Sequence, residues 1–421
     1  MTTSLPRSET PTPTPARTTA ATAFPRLEPV AGRCPSCSSP GLRAFYEVAP
    51  IPVNSCILTQ SPAEARRFPT GELSLAACPA CGFVTNTRFD PQKTEYSSRY
   101  EETQAFSGTF NRFARELAER LVEQYRLHGK TALEIGCGKG EFLVLLSELS
   151  GGRGIGIDPG YHPERTESEA AARIEFIRDF YSERYAHLQA DFICCRHTLE
   201  HIAPTRELLS TLRRTIGERH DALVFFEVPD VLRVLREGAF WDIYHEHCSY
   251  FTPGSLARLF RATGFEVVDL WLDYDDQYIC LTARPADGPT PPRLPLEDDL
   301  TEVSAAVERF RATCGGAIER WRTTLDAAAK AERRVVLWGS GSKGVSFLTT
   351  LGEPGATVEY VVDINPFKHG KFMPITGQEI VSPDFLRDYR PDQVIVMNPI
   401  YVDEIRRDLA RLGLSPVVEA V

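Results

Sequence analysis

The stretch WDIYHEHCSYF, Trp241 to Phe251, packs Tyr244, His245, Glu246, His247, Cys248 and Tyr250 into one short run. Three readings are open. Alternate residues of an extended loop point the same way, so His245 and His247 could share a metal. The run could also be a purely structural polar loop. The favoured reading is a general base, His247, oriented by Glu246 and assisted by Tyr244, because a neighbouring carboxylate can raise a histidine's basicity into the useful range.

A second set of reactive groups stands near the N-terminus, as Cys34-Pro-Ser-Cys37 and Cys78-Pro-Ala-Cys81-Gly82. Each C-x-x-C turn points two thiolates at one centre, and two turns complete a tetrahedral S₄ shell for zinc. All four positions are then protein ligands, which makes the expected zinc structural. Two unrelated turns with free thiols is the competing reading, and the duplicated C-P-x-C argues against it. Cys56, without a partner motif, is expected to be a small buried residue. In a reducing compartment paired cysteines bind metal more often than they form disulfides.

Two glycine-rich turns follow. Glu134-x-Gly136-x-Gly138-x-Gly140 after a short apolar strand lets the backbone pass close beneath a ligand. Asp158, closing the next strand, can grip both hydroxyls of a ribose, and Asp179 is a candidate adenine contact. S-adenosylmethionine fits better than NAD, since a pyrophosphate needs amides at a helix N-terminus and an acid at Glu134 is awkward beside phosphate. The second turn, Gly339-x-Gly341-x-x-Gly344 with Asp363 further on, leaves three possibilities: NAD, another nucleotide whose phosphate meets Lys343, or a helix–strand packing turn. His197 and His201, four apart after a strand, read as wall residues rather than metal ligands.

The elements that must position these groups follow from periodicity. A helical pattern runs from Gln104 to His128, and strands are expected at Thr131–Ile135, Gly154–Asp158, Phe192–Cys195 and Ala222–Val228. A helix near 297–330 carries ridges at Val303, Val307, Phe310 and Ile318. Strands at Val335–Trp338, Val358–Val362 and Gln393–Met397 then alternate with helices. Strand–helix alternation gives a doubly wound parallel sheet. The expected fold is therefore α/β: a class I methyltransferase sheet flanked by a zinc module and a terminal Rossmann-like domain. Its divisions are a Thr/Pro/Ala-rich disordered tail over 1–32, a zinc-binding module over 33–95, a methyltransferase domain over 96–283, a Pro-rich linker and helix over 284–330, and the Rossmann-like domain over 331–421.

Across its 421 residues the chain has a net charge of −10, which argues against a reader of nucleic-acid backbones. No apolar run reaches the ~18 residues of a membrane span. The Ser/Thr-rich start lacks a secretory apolar stretch and points to the cytoplasm, a transit peptide being the lesser reading.

The order of motifs, with Tyr244-His245-Glu246-His247-Cys248-Ser249-Tyr250-Phe251, W-G-S-G-S-K-G and the run Val361–Lys371, resembles the nucleotide-sugar C-methyltransferases. The resemblance covers the chain from about Cys34 onwards. It implies a dTDP-4-keto-deoxysugar as small-molecule substrate and His247 as the base that forms an enolate. It also implies Glu246 and Tyr244 as groups that bind or polarise the sugar, a helping tyrosine before the core (Tyr96 or Tyr100, the latter carried forward), and a terminal domain that closes over the nucleotide. The residues alone leave O-methylation of a sugar or other metabolite, a non-catalytic binding protein and a nicotinamide oxidoreductase open. One departure stands out: Asp273-Tyr274-Asp275-Asp276-Gln277-Tyr278 replaces the small neutral turn usual in that family and is expected to change shape and charge near the substrate.

Overall fold

The structure is a computed structural model that describes residues 20–97, 99–165, 168–288 and 292–421. The N-terminal module is an antiparallel sheet of β1 (Ala21–Ala23), β2 (Arg43–Pro52), β3 (Thr70–Ala77) and β4 (Val84–Asn86), in that spatial order. Residues 1–19 of the expected tail lie outside the described residues. The rest of the tail departs from expectation, because β1 pairs with β2 and Phe24 packs 5.7 Å from the ring of Tyr46. One buried alanine, Ala20, and one aromatic ring anchor a segment too polar to form a core of its own.

The central sheet takes β5 (Ala132–Ile135), β6 (Gly154–Ile157), β7 (Ile174–Ile177), β8 (Phe192–Arg196) and β9 (Leu223–Pro229) as parallel strands. Next in the chain, β10 (Ser249–Tyr250) leaves this sheet and pairs antiparallel with β4, which makes the His247 segment the fifth strand of the N-terminal sheet. β11 (Phe265–Asp273) and β12 (Tyr278–Pro285) complete the central sheet in the order β7-β6-β5-β8-β9-β12-β11, β12 running antiparallel to both neighbours. The four parallel strands at the centre are apolar and buried on both faces, as helices on either side require. Helix Gly108–Tyr125 buries the i, i+4 series Phe113, Leu117 and Leu121, and Ser107 caps its N-terminus.

The terminal domain is a five-stranded parallel sheet of β13 (Val335–Trp338), β14 (Val358–Val362), β15 (Glu379–Val381), β16 (Gln393–Val396) and β17 (Val417–Ala420), ordered β15-β14-β13-β16-β17. Helix Leu300–Lys330 joins it to the rest. Its 31 residues span about 46 Å at the α-helical rise. The expected ridge residues are all buried, with Phe310 edge-on to Phe45 and Tyr46 of the N-terminal sheet and Trp321 edge-on to Phe347 of the terminal domain. One apolar core therefore runs through both flanking domains. Among the described residues no helix is long and apolar enough to cross a membrane.

Candidate active site

The two C-x-x-C knuckles are turns of the same shape. Ser38 N–H donates to Cys34 O and Gly82 N–H to Cys78 O, with left-handed φ at Ser38 and Gly82. The Sγ atoms of Cys34 and Cys81 lie 3.7 Å apart and those of Cys37 and Cys78 3.6 Å. Tetrahedral zinc with Zn–S bonds of about 2.3 Å needs sulfurs about 3.8 Å apart, so the four thiols fit the ion. Within this cluster hydrogen bonding draws the Cys78 thiol down and pushes those of Cys34 and Cys81 up, the mark of four thiols crowded on one centre. Cys56 is buried, as expected.

A cavity of about 860 Å³ is walled by all three modules. On its central-sheet side the glycine loop leaves β5. Gly136 has φ +71°, and a Cβ there would meet Thr198 Oγ1 at 2.1 Å, so only glycine permits this approach. Asp158 Oδ2 accepts from Gly138 N–H at 2.9 Å and its Oδ1 from Gly160 N–H at 2.6 Å, which fixes the carboxylate beside the loop. Glu134 is 3% exposed, and its Oε2 is buried with no hydrogen-bond partner among the described residues. Burial lifts the Glu134 carboxyl to about 8 although Arg196 opposes the rise. A glycine-floored pocket with a ribose-competent acid and an orphaned acid oxygen fits the cationic, phosphate-free S-adenosylmethionine. Asp179 also lines the cavity, but its Oδ2 is taken by Arg184 and the Tyr185 hydroxyl and its Oδ1 accepts from Phe180 N–H.

A pairing of the Glu134 carboxylate with the ammonium of a bound ligand would have a measurable sign. Burial holds the Glu134 proton to about 8, so that pairing requires the proton to leave. S-adenosylhomocysteine binding is therefore expected to release a proton near pH 7 and to tighten as pH rises towards 8. Calorimetry in two buffers of different ionisation enthalpy reads the release. Glu134→Gln should abolish it and weaken binding roughly 10- to 100-fold, the usual worth of a charged hydrogen bond.

The WDIYHEHCSYF segment differs from expectation in which way its side chains face. His247 lines the cavity, with ring centroids 4.7 Å from Tyr244 and 4.7 Å from His201. Glu246 does not orient it. The Glu246 carboxylate accepts from Asn54 Nδ2 (2.9 Å), Ser55 N–H (3.0 Å), the Ser55 hydroxyl and the Tyr100 hydroxyl (3.0 Å). His245 is turned into the N-terminal module, so close to Gly71 that a Cβ there would fall 2.6 Å from its ring, and it makes no common centre with His247. Tyr244 does face the cavity, its hydroxyl donating to Asp242 Oδ1 at 2.5 Å. Tyr96 and Tyr100 both line the cavity: Tyr100 is held by Glu246, and the Tyr96 hydroxyl lies 2.9 Å from His201 Nδ1. The expectation that Glu246 raises His247 is overturned as well. Burial, with His201 and His197 nearby, holds His247 well below the usual histidine range.

Lys343 of the second glycine turn reaches into this cavity, its Nζ 2.9 Å from Asp242 Oδ2 and 3.1 Å from Gln277 Oε1. Asp363 is occupied within its own domain by Ser340, by Asn365 N–H and by Lys368. The acidic departure also resolves. Tyr274, Asp275 and Asp276 all adopt left-handed φ near +55°, and this turn leaves Asp275 and Asp276 exposed. Gln277 and Tyr278 line the cavity in their place, Gln277 exchanging hydrogen bonds with Asn398. Glu200 is a cavity residue that sequence reasoning passed over, although it stands in the H-T-L-E-H run after β8. His201 lines the cavity in keeping with its reading as a wall residue, and Lys343 meets Asp242 where a phosphate contact was one of the readings of its turn.

Sheet order with one reversed strand, a glycine loop under the strand ends and an acid closing β6 define a class I S-adenosylmethionine-dependent methyltransferase. Residues 106–270 match the family model of a methyltransferase domain and residues 297–414 that of the C-methyltransferase C-terminal domain. The chain is 26% identical over 348 residues to C-methyltransferase NovU of Streptomyces niveus, covering 79% of this chain and 81% of that protein. Among solved structures it is similar to the 1,6-didemethyltoxoflavin-N1-methyltransferase of Burkholderia thailandensis, at 19% identity over 43% of this chain and 82% of that one, with a TM-score of 0.32. It is similar too to the magnesium protoporphyrin IX methyltransferase of Synechocystis, at 16% identity over 42% and 84%, with a TM-score of 0.32. With both halves of the C-methyltransferase architecture matched, the protein is an S-adenosylmethionine-dependent C-methyltransferase.

Proposed function

We propose that the enzyme methylates the carbon beside a ketone on a nucleotide-linked deoxysugar, with His247 as the base. The observation that carries the reading is the His247 imidazole in the wall of a cavity that also holds the glycine loop and the Asp242–Lys343 pair. Bound S-adenosylmethionine supplies the electrophilic methyl group. His247 takes the proton of the reacting carbon, and the electron pair of the broken C–H bond becomes the enolate. Lys343, held by Asp242 and Gln277, keeps a third ammonium hydrogen for the enolate oxygen, and Tyr244 braces the same Asp242. Glu246 and Tyr100 act at one remove, by bracing the segment that carries His247 against the N-terminal module. Zinc on Cys34, Cys37, Cys78 and Cys81 holds that module. The terminal domain contributes the cavity wall at Trp338–Lys343 and Asn398, suited to the nucleotide portion of the substrate. A cytoplasmic location accords with eleven cysteines, none of them in a disulfide.

The test is solvent exchange. The protein is incubated in D₂O with S-adenosylhomocysteine and dTDP-4-keto-6-deoxyglucose, and the signals beside the ketone are followed by NMR. Enzyme-dependent deuterium uptake supports the enolate route and identifies the carbon. No uptake with S-adenosylhomocysteine demonstrably bound removes this sugar as substrate.

A further inference from the structure

When His247, half-buried in the cavity wall, accepts a proton it becomes an imidazolium that a nearby countercharge would stabilise. Glu246, committed to Asn54, Ser55 and Tyr100, cannot provide it. Another carboxylate stands on the facing wall. Glu200, in the short turn Leu199–His201 after β8, is 2% exposed and lines the cavity. Its Oε1 lies 3.6 Å from His197 Nδ1, and its Oε2 is buried with no hydrogen-bond partner among the described residues. One ligand-type atom each of Glu200, His201 and His247 falls within 4.8 Å of the other two. The His201 ring meets His247 edge-on, and Tyr96 holds the far nitrogen of His201.

Behind Glu200 stands a cation. His197 Nε2 is 2.6 Å from Glu227 Oε1, and Glu227 is fully buried with Arg196 bonded to both its oxygens. His197 adopts φ +47°, a conformation that costs a non-glycine residue energy and is retained where surrounding contacts demand it. Burial opposes charge on His197, but Glu227 and Glu200 lift it to about 9.

We propose that Glu200, tethered by His197, is the positioning carboxylate of the base: it stabilises the imidazolium that forms on His247 as the substrate carbon gives up its proton, while His201 sets the ring's orientation. This rests on the reading of His247 as base. The balance is simple. The C–H bond breaks, its electrons pass into the enolate, the proton ends on a ring nitrogen of His247, and the new positive charge is matched by the carboxylate without any redox change. The other groups facing the histidine pair are Tyr244 and Tyr250 from its own segment, and Tyr96 and Tyr100 from the segment before the core helix. Asp242 is engaged with Lys343, and Glu227 with Arg196 and His197.

Glu200→Gln is the decisive variant, with Glu200→Asp as its conservative partner, both assayed for deuterium exchange into dTDP-4-keto-6-deoxyglucose across pH. Removing the charge disfavours the protonated ring. Glu200→Gln should therefore lower the plateau rate roughly 10- to 100-fold and move the acid limb to lower pH, with S-adenosylhomocysteine affinity unchanged. Glu200→Asp should recover part of the rate. A wild-type plateau and an unmoved limb in Glu200→Gln would overturn the proposal. So would metal analysis finding two ions per chain in the wild type and one in Glu200→Gln, because Glu200, His201 and His247 would then be a cation site. If His247→Ala still exchanges, the base reading itself fails. If His247→Ala is dead and Glu200→Gln is normal, only the role of Glu200 falls.

Discussion

Replacing His247 with alanine is expected to slow deuterium exchange beside the ketone roughly 10²- to 10⁴-fold, the usual contribution of a positioned general base. Binding of S-adenosylhomocysteine should survive, because Gly138, Gly160 and Asp158 hold one another through bonds that do not involve His247. The pH profile of the wild-type enzyme carries the physical content. A base works when deprotonated, so the rate falls as pH drops through its pKa. Burial beside His201 and His197 places His247 well below the usual histidine value of about 6.5. Exchange should thus hold its plateau through neutral and mildly acidic pH and fall only below the ordinary histidine range. An acid limb at or above that range would contradict the lowering that burial, His201 and His197 impose on the ring. Undiminished exchange in His247→Ala would move the base to another residue.

Losing the zinc site is expected to remove activity from a distance. Cys78→Ser should bind no zinc, melt at lower temperature and exchange no deuterium, although Cys78 belongs to a module with no residue of the glycine loop. The magnitude follows from how metal binding couples to folding. Structural zinc contributes about 10–16 kcal/mol in small finger peptides, comparable with the roughly 5–15 kcal/mol that stabilises a whole domain. The knuckles anchor the sheet whose last strand, β10, follows directly on His247. The same module supplies Asn54 and Ser55, which clamp Glu246. Metal analysis by mass spectrometry, thermal melts and the exchange assay on the same preparation check all three. A Cys78→Ser protein with stoichiometric zinc and an unchanged melt would refute the closed four-cysteine shell.

Much of this protein was legible along the chain. The seven strands expected from apolar runs in the central and terminal sheets fall close to their expected places, since burial on both faces of a parallel sheet leaves continuous apolar runs, whereas β7, β11, β12, β15 and β17 were not expected. The helix Leu300–Lys330 buries the four ridge residues expected of it. The four cysteines and the glycine loop were legible because each is a local turn whose geometry residue types dictate. The strand order, with β12 reversed between β9 and β11, had no local signal and was not part of the expected parallel sheet.

What only the tertiary structure decided is the direction in which side chains face. Alternation predicts facing only along an extended strand, and the His247 segment is bent until it pairs as β10. Glu246 could therefore turn away from His247 towards Asn54, 192 positions distant in sequence. Asp275 and Asp276 look substrate-facing by position, yet three consecutive left-handed residues direct them outward. Lys343, the neighbour of a distant glycine turn, meets Asp242 only because two domains close one cavity. Local propensity specifies which elements form. Which carboxylate meets which base depends on contacts between residues far apart in the chain, and these exist only once the three modules pack together.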